Sequence, residues 1–132
     1  MGYLARFGRL LIGERIRLPG NLVRQFPELE SVILRRGGLM PRIGGWFLGQ
    51  STVSAITLWQ TIYFGAHESP DADILLHELR HVEQFRESRS FPAHYIWESV
   101  KRGYHDNRFE VDARQYAARR LAQAARTHVE EA

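Results

Sequence analysis

Residues 73–84 read Asp73-Ile74-Leu75-Leu76-His77-Glu78-Leu79-Arg80-His81-Val82-Glu83-Gln84, and the reading of this stretch decides the fold. Ile74, Leu75, Glu78, His81, Val82 and Phe85 recur at helical spacing, which predicts one face of an amphipathic helix turned toward a core. That helix is expected from Ala72 to about Arg89, after Pro70, with Asp71 or Ser69 as N-cap. An imidazole and a carboxylate on an apolar face are costly unless something pairs with them. His77-Glu78-Leu79-Arg80-His81 is the pattern H-E-x-x-H, whose imidazoles at i and i+4 can reach one metal ion. The glutamate at i+1 stands where it can take a proton from a metal-activated water. With six His and eleven Glu in the chain, a shuffled sequence holds such a pattern roughly 0.02 times.

Downstream, Pro92 opens a second helix and Gly103 stands just past its end. A third is expected from Asn107 to about His128, with Phe109, Ala113, Ala117, Leu121 and Ala124 on one stripe. Upstream the texture changes: ten of the eleven glycines lie at or before Gly65. Glu14–Leu18, Ser31–Arg36 and Val53–Phe64 read as strands, Asn21–Phe26 as a short helix capped by Asn21, with Pro41, Gly44, Gly45 and Gly49 marking the loop. Strands followed by helices predict an α+β fold, a small mixed or antiparallel sheet packed on the H-E-x-x-H helix and two further helices. One domain is expected over 1–132, strand-rich over 1–66 and helical and metal-binding over 67–132. Trp46, Phe47, Trp59, Tyr63, Phe64, Phe85, Tyr95 and Trp97 are expected in the core. Leu4, Phe7, Leu10 and Leu11, with Arg6 and Arg9 between them, predict a short amphipathic helix. It is expected to dock on its own domain, with contact to a membrane surface the lesser expectation.

At 132 residues and 44% hydrophobic, the composition is that of one globular domain and excludes global disorder. No apolar run approaches the roughly 20 residues of a membrane span, and no signal-peptide pattern opens the chain, so a cytoplasmic location is expected. The chain has no cysteine, which leaves His, Asp and Glu as metal ligands. Net charge is +3, but 15 acidic residues are interleaved with 18 basic ones, so nucleic-acid binding is not expected.

Catalytic zinc takes three protein ligands, so a third is needed beside His77 and His81. Glu83, His94, Glu98, His105, Asp106, Glu110 and Asp112 are the downstream candidates. Glu110 leads, because it shares the buried stripe of the third helix; His105 is second. The competing reading is Asn107-x-x-Glu110 as a capping box, in which the glutamate caps its own helix.

With Asn107-Arg108-Phe109-Glu110-Val111-Asp112-Ala113, the motif helix resembles the gluzincin group of zinc metallopeptidases. More narrowly it is similar to small bacterial metallopeptidase-like domains of unknown function, some associated with contractile injection systems. Those carry T-L-x-x-x-I-x-F shortly before the helix, where this chain has Thr57-Leu58-Trp59-Gln60-Thr61-Ile62-Tyr63-Phe64. The resemblance spans roughly residues 50–118. It implies a zinc-dependent peptidase, with Zn2+ on His77, His81 and Glu110, Glu78 as general base and a peptide or protein as substrate. It also implies that the strand around Thr57, Thr61 and Tyr63 aligns an extended substrate along a sheet edge. Where gluzincins often place an orienting aspartate four residues after the glutamate, this chain has Arg114. Asp73 and Asp112 are then the candidates for orienting a ligand. Tyr95, Tyr104, His105 and Arg114 are the candidates for stabilising the transition state, and the family's frequent turn glycine is replaced by Trp59. The alternative function is a non-catalytic module in which zinc serves stability or binding, and a partner protein that completes the cleft is a third arrangement.

Overall fold

The computed structural model describes residues 2–42 and 55–132. In chain order these form α1 (Gly2–Ile12), β1 (Glu14–Ile16), α2 (Gly20–Gln25), a 3-10 turn (Pro27–Ser31), β2 (Ile33–Arg36), β3 (Ala55–Leu58), β4 (Thr61–Phe64), α3 (Ala72–Glu87), α4 (Phe91–Asp106) and α5 (Arg108–Glu130). The class is α+β with a mixed four-stranded sheet, in the order β1-β2-β4-β3. β1 runs antiparallel to β2, β2 parallel to β4, and β3 antiparallel to β4.

Two of the three long helices, α3 and α5, begin at side-chain caps, whereas α4 has none and runs past Gly103, its expected end, to Asp106. Asp71 caps α3 by accepting from the Ile74 N–H at 2.9 Å, satisfying one of the donors a helix N-terminus leaves free. Gly103, at φ 78, breaks the regular turn of α4, a conformation open to glycine at little cost. Asn107 caps α5, accepting from Phe109 N–H. α2 differs from expectation: it starts at Gly20, and no side chain caps it. The missing side-chain cap follows from Pro19 in the N-cap position, which leaves Asn21 inside the helix.

Val53–Phe64 is not one strand. Among its described residues, a hairpin closes with Leu58 paired to Thr61, and Trp59 at the turn has φ 53. That is left-handed backbone, which costs a side-chain-bearing residue about 1–2 kcal/mol.

The core joins both halves of the chain. Phe26, Leu29, Leu34, Ile62 and Phe64 meet Leu75, Leu76, Leu79 and Val82 of α3, with Ala117 and Ala124 of α5 closing the cluster. α3 packs most extensively on α5, and Ala113 and Ala117, almost wholly buried, let the two backbones approach. Trp59 and Trp97, expected in this core, are instead 68% and 62% exposed. Trp59 sits at the hairpin tip and keeps only a tilted contact with the Phe85 ring. Trp46 and Phe47 lie outside the described residues, as do Gly44, Gly45 and Gly49. α1 buries none of its residues, contrary to the expected docking; near its end the Leu11 carbonyl accepts from the Leu39 N–H, three residues past β2.

Candidate metal centre

Two helices bring three side chains together: α3 carries His77 and His81, and α5 carries Glu110. The Nε2 atoms of His77 and His81 lie 2.9 and 3.2 Å from the two oxygens of the Glu110 carboxylate. One ligand atom from each residue falls within 4.8 Å of the others, and the group could hold a metal ion. Two imidazole nitrogens and a carboxylate oxygen gathered this closely are a donor set that suits zinc. Glu110 is 2% exposed and does not form the capping box: its oxygens go to the two imidazoles and to the Tyr95 hydroxyl, which donates at 2.6 Å.

Each of these side chains is itself held. His81 Nδ1–H donates to Gln84 Oε1 at 2.8 Å, which leaves Nε2 facing Glu110. Gln84 in turn donates to Asp112 Oδ2 and to the Phe109 carbonyl. Arg80 closes the chain by donating to Asp112 at 2.7 Å, and also reaches Glu83 and Glu87. Asp112 thus acts on His81 through Gln84, and Asp73, exposed in the first turn of α3, takes no part. Gln84 was not singled out from the sequence; its place three residues after His81 on the helix is the signal that could have found it.

Glu78 is 7% exposed, and its Oε2 accepts from the Thr57 hydroxyl at 2.6 Å. Thr57 therefore faces α3. β4, carrying Thr61 and Tyr63, lies between β2 and β3, so its backbone is engaged on both sides. Among the described residues β1 and β3 are the edge strands, and of these β3 is the one that carries Thr57.

The electrostatics follow from burial and the carboxylates. Burial works against a charged His81, yet Glu110 and Glu78 overcome it and hold the imidazole up at about 9. Burial likewise opposes ionised Glu110, but His77, His81 and Tyr95 hold it well below the usual carboxylate range. Burial first, and then Glu110 and Glu78, push up the Tyr104 phenol, which is 39% exposed. His105 is exposed, and its carbonyl accepts from Arg114.

Compared with protein-family models, curated proteins and solved structures, the chain matches none.

Proposed function

We propose that the chain is a zinc-dependent metallopeptidase. The observation that carries this reading is the convergence of His77, His81 and Glu110 beside a buried carboxylate, Glu78, that none of the three uses as an ion-pair partner in the described contacts. Zinc bound there would supply a Lewis acid and lower the pKa of a water to about 7. Glu78 takes the water's proton and passes it to the leaving amine, while Thr57 fixes which carboxylate oxygen is turned away from the strand. Tyr95 has its proton committed to Glu110, so Tyr104, part-exposed next to both carboxylates, is assigned the transition-state hydrogen bond. The outer side of β3 offers N–H and C=O groups to an extended peptide, which suits main-chain recognition without a required sequence.

Glu78→Gln tests the assignment. It should retain one zinc per chain and lower hydrolysis of an unstructured protein substrate at least a hundredfold. Unchanged hydrolysis would remove Glu78 as the base. Full zinc loading with no hydrolysis by the parent chain would instead favour a zinc-stabilised binding module.

A further inference from the structure

α1 stands apart from everything the metal centre uses. On a helical wheel at about 100° per residue, Leu10, Tyr3, Phe7, Leu11 and Leu4 fill one continuous arc, Arg6 flanks it and Arg9 lies opposite. Tyr3 and Leu4 are 89% and 83% exposed, and Phe7 and Leu10 are 62% and 69% exposed. No residue of the helix is buried. A soluble domain seldom leaves five neighbouring large apolar side chains in water without a use for them.

Charge says what covers the face. α1 carries Arg6 and Arg9 and no acidic residue. Five of the 18 basic residues but only one of the 15 acidic ones fall in residues 1–27, making that stretch +4 and the remainder −1. The whole positive excess of the chain thus accompanies its exposed apolar helix. Arg15 and Arg17, also exposed, extend the basic surface along β1, where with Ile16, Leu18, Val32 and Leu34 they line an open groove of about 530 Å³.

We infer that α1 is an interfacial helix that lays its Tyr3–Leu11 face into an anionic lipid surface. An apolar arc bordered by arginine is the pattern of helices that lie in the headgroup plane, where the apolar side enters the acyl boundary and the cations meet lipid phosphates. A second copy of the chain fits less well, because it brings another Arg6 to the border of the same face and no carboxylate of α1 to meet it. At about 16 Å the helix is far too short to cross a bilayer, and no helix among the described residues is long and apolar enough to do so. The attachment to the fold is narrow: Gly13 and Gly38 meet backbone to backbone, and a Cβ at Gly13 would fall 2.4 Å from the Arg36 carbonyl oxygen. This close glycine contact joins α1 to the segment after β2 without involving the metal centre.

The test is sedimentation of the full chain with vesicles of pure phosphatidylcholine and of phosphatidylcholine with 30% phosphatidylglycerol, in 0.1 M salt. Binding to the anionic vesicles should exceed binding to the neutral ones at least tenfold. Arg6→Gln with Arg9→Gln should weaken it at least fivefold, and Phe7→Glu with Leu10→Glu should abolish it. Because α1 buries no side chain, both variants should keep the parent's melting temperature; Tyr3→Ser with Leu4→Ser, farther from the Gly13–Gly38 contact, gives a second route to the same loss. Failure to bind, or equal binding to both vesicles, overturns the inference. So does a concentration-dependent dimer in lipid-free solution that Phe7→Glu with Leu10→Glu dissociates, since the face would then belong to a protein contact.

Discussion

Gln84 shows how much of the proposed metal site would be decided outside its three candidate ligands. Its Oε1 accepts from His81 Nδ1, while its amide is pinned by Asp112 and the Phe109 carbonyl. This selects the imidazole tautomer that offers Nε2 to a metal. Gln84→Ala should therefore weaken zinc affinity about 10–100-fold, read by competition with a chelating dye. The metal-free pair has its own pH signature. His81 is raised from near 6.5 to about 9, so its contribution is complete below about pH 6.5 and is lost as pH rises through 9. Glu110 is lowered from near 4.5, so its contribution is complete above that value and is lost only as pH falls through its lowered range. Without metal, the melting-temperature difference between the parent and Glu110→Gln should be largest between about pH 4.5 and 6.5 and shrink toward pH 9. With zinc the trend reverses, because the ligating imidazoles must be neutral and the zinc-dependent increment grows from pH 6 to 8.

At the scale of elements, the junction of α4 and α5 positions the third donor. Asn107, fully buried, accepts from Phe109 N–H and donates to the Tyr95 carbonyl and to Ser99 Oγ. It ties the helix bearing Tyr95 to the helix bearing Glu110. Asn107→Ala removes a cap and strands these partners, and should cost about 1–3 kcal/mol in denaturant unfolding. The three long helices were legible in the sequence because each carries explicit punctuation: Asp71, Pro92 with Gly103, and Asn107. The hairpin was not. Leu58-Trp59-Gln60-Thr61 contains no Gly, Asn or Asp, so the strained turn at Trp59 left no local trace, and two strands read as one. The same gap misplaced Thr61 and Tyr63 on an edge strand, where β4 is an inner one. His77, Glu78 and His81 were legible from spacing alone, and the cap-or-ligand ambiguity of Glu110 needed tertiary geometry to choose between them. The outward face of α1 was not legible either, since amphipathicity marks a face to be covered without saying by what.

For the whole molecule, α3 is the shared part. Leu75, Leu76, Leu79 and Val82 anchor it between the sheet and α5, while His77, Glu78 and His81 are presented toward Glu110 and Thr57. On the proposed function, a metal held by His77, His81 and Glu110 would clamp α3 to α5 in the native state only and would add stability by linkage. The basic, apolar α1 and the candidate metal centre occupy separate elements, so lipid binding as proposed would leave His77, His81 and Glu110 in place. The most direct test of the central claim is a crystal structure of the zinc-loaded chain with the metal located by anomalous scattering. The account predicts one site per chain, with zinc about 2.0–2.2 Å from His77 Nε2, His81 Nε2 and a Glu110 oxygen, and the fourth position held by water beside Glu78. Zinc at another place, or a fourth protein ligand closing the site, would contradict it.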